Sequence, residues 1–360
     1  MIGSHTGTPR SYLTQFARTQ SPSDRKRKLW VYQRGVRPFK ATPYRVGKEN
    51  GYFAAAKASG GRDESMEKIL AALETKSAEL LPLLNYETYV LSQRDEETLV
   101  GHVALTFART NARRGLTAKI LDQIRDAYKE LAADPIWLEE QAQAFEGFSG
   151  VVTTPGEISA ATGKVLEKLA KPEHANDGFV QGLLRLAEGI FRDLRGKPWQ
   201  IWEAPEPMQF ITTDNPVITL KADTWGAFTP GWGFRTPGVT TIFPISPSRC
   251  FVIGESVGAG RRYWRRATAR DVNGVNKGLI ACMDRWAYSA AFSQDIEWLV
   301  NNLGGSVTYG VNAFVPAWID NASEHIKAGV REATSLAAAK IGARSVRPET
   351  AGINTKRNRI

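Results

Sequence analysis

The chain has 360 residues, of which 42% are hydrophobic, 10% aromatic and 23% charged. This ordinary globular composition excludes a disordered chain, a coiled coil and a collagen-like fibre, and the length allows a sizeable core with two packed subdomains. The formal net charge of +10 is uneven: residues 1–60 carry +10, residues 61–200 carry −5 and residues 201–360 carry +5, so two basic ends flank an acidic middle and point to a polyanionic partner, DNA first.

The segment Lys28–Lys40 alternates large apolar and polar residues around Gly35, which predicts a hairpin or two short strands. From Asp63 the period changes. Met66, Ile69, Leu70, Leu73, Leu80, Leu81 and Leu84 recur at three and four residues and predict an amphipathic helix ending near Asn85. A second long helix is expected over 95–132, with Ser92 and Asp95 as its start signal. Shorter helices follow at 135–147, 156–170 and 176–195, the first opened by Pro135. Beyond Pro198 the runs 209–213, 217–220, 239–243 and 249–253 read as strands, and 223–238 as a Gly-, Trp- and Pro-rich loop. Helices are expected at 269–283, 295–303 and 322–343, before a basic tail.

The fold class is therefore α+β: a basic N-terminal β segment (1–60), a central helical block (61–198), a β-rich region carrying the site (199–320) and a C-terminal helix with its tail (321–360), integrated in one domain. Cys250 and Cys282 form no CxxC pair and read as ordinary buried thiols of a cytoplasmic protein. No apolar run suits a signal peptide or reaches the roughly 18 residues of a membrane span.

His5, His102, His174 and His325 show no HxH or HxxxH spacing, so no zinc site and no cofactor is expected. Walker-type phosphate loops, dinucleotide fingerprints and the GxSxG elbow are missing from the sequence. What remains is acid, amide, imidazole and arginine chemistry. Asp214-Asn215-Pro216 follows a strand-like run and places a carboxylate and an amide where they could position a water; the same three residues also make a plain turn. Arg109 could clamp a phosphate or pair with an acid of the first long helix, where Glu67 and Glu74 lie seven apart. Arg25-Lys26-Arg27-Lys28 and the run Arg261–Arg266, with Arg262, Trp264 and Arg265, combine cations with stacking rings as nucleic-acid surfaces do. The second run equally fits a sheet edge protected by charge.

The His5, Pro9, Tyr12-Leu13 opening, Leu29–Tyr32, Glu49, Tyr52-Phe53, Glu67 with Glu74, Arg109-Thr110, the Thr213-Asp214-Asn215-Pro216 box and Pro244–Pro247 resemble the bacterial family of unknown function DUF4238. Asn111 stands where the family pattern has proline. The resemblance implies that His5, Glu49, Glu67, Arg109, Asp214 and Asn215 share one pocket. The chemistry of these residue types offers Asp214, Asn215 and His5 as catalytic groups and Arg109, Glu49 and Glu67 as substrate-binding ones. It carries an associational hint of anti-phage defence. The leading expectation is a metal-independent DNA glycosylase excising a base, modified phage bases included. The alternatives are a nuclease using Glu49, Glu67 and Asp214 around Mg²⁺, and a non-catalytic nucleic-acid-binding or sensor protein. On the leading reading, Asp214→Asn abolishes activity without unfolding the chain.

Overall fold

The computed structural model describes residues 8–17, 27–46, 55–56, 62–63, 65–170, 172–222, 228–254 and 264–307. The fold is α+β and the chain divides into two compact units. One unit comprises residues 1–124 with 169–314, the other residues 125–168 with 315–360.

Helix α1 (Arg10–Thr14) precedes the hairpin β1 (Leu29–Gln33) and β2 (Val36–Ala41), which turns at Gly35 with φ 70°. That conformation suits glycine because it has no Cβ to clash. Two short paired strands, β3 (Ala55–Ala56) and β4 (Arg62–Asp63), lead to the long helices α2 (Ser65–Leu83), α3 (Gln93–Ala108) and α4 (Asn111–Ala132). Ser92 and Asp95 close a reciprocal capping box at the start of α3, as their spacing predicts. The single helix expected over 95–132 is in fact two. Arg109 leaves helical geometry (φ −90°, ψ 1°), and the Thr110 hydroxyl donates to the Phe107 carbonyl at the break. A capping side chain satisfies a carbonyl that a continued helix would have bonded.

In the smaller unit, α5 (Pro135–Ser149) begins with the Asp134 side chain accepting the Ile136 N–H at 2.9 Å. It stops at Gly150, whose φ is 67°. Thr154 and Glu157 exchange capping bonds at the start of α6 (Pro155–Leu169). Helix α7 (Pro172–Leu194) then returns to the larger unit.

Two sheets organise that unit. The larger runs β11 (Trp264–Arg266), β5 (Trp199–Glu203), β10 (Arg249–Gly254), β9 (Val239–Ser246), β7 (Ile218–Ala222) and β8 (Phe228–Pro230); only the β11–β5 pair is parallel. The smaller places β1 between β2 and β12 (Ala287–Ser289), with β6 (Thr212–Thr213) on the far side of β12. The strand expected over 209–213 shrinks to β6, because Gln209 and Ile211 hydrogen-bond instead to Asn276 of α8 (Ala269–Ala281). The N-terminal β segment is likewise no separate body, since β1 pairs with β12 more than two hundred residues later.

Side-chain alternation explains why the strands of the large sheet read as continuous apolar runs. Trp199, Ile201, Phe243, Phe251 and Ile253 face a core shared with Tyr12, Leu81, Val103 and Leu194. Trp202, Ile242, Cys250 and Val252 face the opposite core, with Val272, Val275 and Leu279 of α8. A sheet buried on both faces needs no polar alternate. Each fully buried ring or branched chain contributes about 1.5–3 kcal/mol. Cys250 and Cys282 are free and buried. The last element described is α9 (Gln294–Leu303), and the helix expected at 322–343 lies outside the described residues.

Candidate functional site

The Thr-Asp-Asn-Pro box forms a turn between β6 and β7. Asp214 Oδ1 accepts the Asp284 N–H at 2.9 Å, and Oδ2 accepts those of Arg285 at 2.7 Å and Trp286 at 2.9 Å. The Asp214 N–H donates to the Trp286 carbonyl at 3.0 Å. Asn215 Nδ2 donates to the Cys282 carbonyl at 2.9 Å, at the end of α8. Both side chains are buried. Burial pushes the Asp214 carboxyl up to about 7, against the three N–H donors that favour its charged form. These bonds hold the chain reversal at 282–286 that delivers β12, so the turn reading of the box fits its geometry. A carboxylate engaged by three backbone donors has little left for a water.

Thr8 Oγ1 donates to the Asp214 carbonyl at 3.3 Å and brings the N-terminal segment to this turn. His5 and Glu49 lie outside the described residues, as do Arg25, Lys26 and Arg262. Glu67 lies on α2, with its side chain outside the description. The nuclease constellation of Glu49, Glu67 and Asp214 therefore has one described side chain. Among the described residues no three of His, Cys, Asp and Glu cluster as a metal site would require.

Arg109 is 1% exposed and forms an ion pair with Glu74, the acid of the first long helix. Seven residues earlier on α3, His102 is buried against Phe243, with ring centroids 5.6 Å apart, and against Tyr12 at 6.4 Å. Tyr12 itself stacks on Phe243 at 4.9 Å, and its hydroxyl reaches the Pro244 carbonyl at 2.7 Å. Burial lowers His102 to about 4, so its imidazole is neutral near pH 7; Glu74 and Arg109 act on it with opposite signs. His102 Nε2 is shielded from solvent and makes no hydrogen bond among the described residues.

That imidazole stands in the wall of a cavity of about 440 Å³ between α2, α3 and α7. Leu105 and Phe191 supply apolar surface, and Glu97 and Glu188 supply carboxylates. Glu97 is tied to Arg195 at 3.2 Å, whereas Glu188 is exposed. Histidine spacing along the chain does not by itself single out His102. The signal that marks it is its place in the apolar run Val100–Phe107, where His102 is the titratable side chain that enters the core, with Thr106 as the other polar one.

The basic and aromatic stretch near residue 264 is a sheet edge. Trp264 is half-buried, with the Arg249 guanidinium 5.1 Å from its ring centroid. Arg265 lies 4.8 Å over the Trp202 ring and pairs with Asp271 at 3.0 Å. Both side chains have partners within the protein, as charges that guard an edge strand do. Arg27 is half-buried and Lys28 exposed ahead of β1.

Among the described residues no helix is long and apolar enough to cross a membrane. No curated protein and no solved structure matches the chain. One family profile, described as a protein of unknown function (DUF4238), matches residues 8–292, from Thr8 beside the Asp214 turn to Phe292 just beyond β12. A match over most of the chain, spanning both sheets and the His102 cavity, makes this protein a member of the DUF4238 family.

Proposed function

We propose that the protein is a DNA-processing enzyme that hydrolyses an N-glycosidic bond and receives the extruded base in the cavity beside His102. The observation that carries this reading is the buried imidazole, its Nε2 unpartnered among the described residues, in the wall of a 440 Å³ cavity. A flat heterocycle needs apolar surface for its faces and a hydrogen-bond partner for its edge. Leu105 and Phe191 offer the first, and neutral His102 the second.

Glu188 is the carboxylate of choice. It takes the proton from a water whose oxygen bonds to the sugar C1′, while the C1′–N bond breaks and its electron pair leaves on the base. The base takes up a proton as it departs. Lys76 and Arg94 also line the cavity and supply cations for flanking phosphates.

The test is incubation with DNA carrying modified bases and with plain DNA, in EDTA, followed by alkali. Breaks only after alkali, lost in Glu188→Gln at an unchanged melting temperature, are the expected result. Direct cutting with Mg²⁺ and none in EDTA would overturn it in favour of a nuclease. Silence in both would favour a non-catalytic binder, a reading that the structural bonding of Asp214 and Asn215 supports.

A further inference from the structure

Strand β1 alternates its side chains between two faces, and Lys28, Trp30 and Tyr32 fall on the same one. Lys40 of β2 pairs with Trp30 across the hairpin, and its ammonium stands 5.1 Å from the centre of the indole ring. Phe292, from the segment that links β12 to α9, packs against the same two aromatic residues. Its ring centroid lies 5.0 Å from that of Trp30 and 6.5 Å from that of Tyr32. The Tyr32 hydroxyl donates to the Ala291 carbonyl at 3.3 Å and accepts the Ser293 N–H at 3.0 Å, so the backbone is pinned on both sides of Phe292. The ring is thus placed in advance, yet it stays 45% exposed. A fixed ring that is open to water loses little conformational freedom when another ring stacks on it.

Lys28 and Lys40 are exposed on the hairpin that carries Trp30, and Arg34 and Arg37 are exposed at its turn end. Negative charge enters from α9, where Glu297 acts on the Tyr32 hydroxyl and Asp295 is exposed in the same helical turn. The face therefore carries cations along the hairpin and carboxylates along α9. An apolar peptide would cover Lys28 and Lys40 without a counter-charge, whereas a polynucleotide supplies both a flat ring and an anion. We propose that this face binds single-stranded nucleic acid, one base stacking on Phe292 while Lys28 and Lys40 contact the flanking phosphates. The proposal uses none of the residues of the His102 cavity and does not rest on base excision.

The experiment measures binding of the full chain to a labelled oligothymidylate of about twelve nucleotides and to an abasic strand of the same length, by fluorescence anisotropy. The abasic strand keeps the phosphates and lacks the bases, so it reads charge alone. The normal strand is expected to bind about tenfold tighter. Phe292→Leu keeps an apolar side chain and loses the aromatic face; it removes most of that difference at an unchanged melting temperature, while Phe292→Tyr retains it. Lys40→Gln weakens both strands alike and lowers the salt slope by about 0.7. An oligouridylate bound as tightly as the DNA strand identifies either polynucleotide as ligand; weaker binding of it identifies DNA. Equal affinity for the normal and abasic strands overturns the proposal, and so does a preference for the normal strand that survives in Phe292→Leu. Failure to bind any strand overturns it as well. Binding is read without cleavage, so this proposal and the base-excision reading fail separately.

Discussion

The hydroxyl of Tyr12 sits 2.7 Å from Thr212 Oγ1, 200 residues away in sequence, and also donates to the Pro244 carbonyl. One buried phenol thus joins α1 to the strand that leads into the Asp214 turn and to a central strand of the large sheet. Burial raises its pKa well above the ordinary value, so it stays a neutral donor.

Tyr12→Phe keeps the ring stack on Phe243 and removes only the hydroxyl. The Pro244 carbonyl is then left buried without that donor, which costs about 1–3 kcal/mol. Urea unfolding should show the midpoint fall with no change in slope. A loss below about 0.5 kcal/mol would mean that water replaces the hydroxyl.

Asp214→Asn turns an acceptor-only carboxylate into an amide with an NH₂ group, yet three backbone N–H groups converge on the carboxylate. At least one donor then faces another donor. A stability loss of about 2–4 kcal/mol is expected, so any activity lost in this variant is lost with the fold. Full stability with no activity would return Asp214 to a catalytic role.

Glu74→Gln leaves the buried Arg109 cation without the carboxylate it pairs with. Removing one partner of such a pair costs about 3–5 kcal/mol when both are deeply buried. Glu74 keeps 17% exposure, so about 2–4 kcal/mol is expected. Glu74→Gln combined with Arg109→Met should recover part of that loss, measured as the coupling in a double-mutant cycle.

His102 gives a pH signature. Its folded pKa, about 4, lies below the unfolded value near 6.5. Between these values the unfolded chain binds a proton that the folded chain does not, so stability falls as pH drops from 6.5 to 4, by about 3 kcal/mol. Asp214, raised to about 7, has the opposite slope between about 4 and 7. Subtracting the profile of His102→Phe from that of the parent cancels that contribution and isolates the histidine. A flat difference would mean that His102 is solvated or paired in the folded protein.

Several boundaries were legible because their causes are local. The capping box at Ser92, Pro135 at a helix start and the hairpin around Gly35 each need only neighbouring residues. The break at Arg109-Thr110 carries no glycine or proline, and there the helix ends where Arg109 meets Glu74 from another helix. Asp214 and Asn215 are marked in the sequence by the Thr-Asp-Asn-Pro spacing, which fits a turn as well as a site. What their side chains bind was hidden, because Cys282 and residues 284–286 approach only when the chain folds back.

By itself the sequence determined the α+β class, the family and the uneven charge, since composition, period and motif spacing are properties of the chain alone. Only the tertiary structure decided that β1 pairs with β12, that Arg109 meets Glu74, that His102 opens on a cavity and that Phe292 packs against Trp30 and Tyr32. Those relations depend on which distant elements bury their apolar faces together. Burial is non-directional and selects a partner face by area and shape, so no local pattern in the chain records the choice.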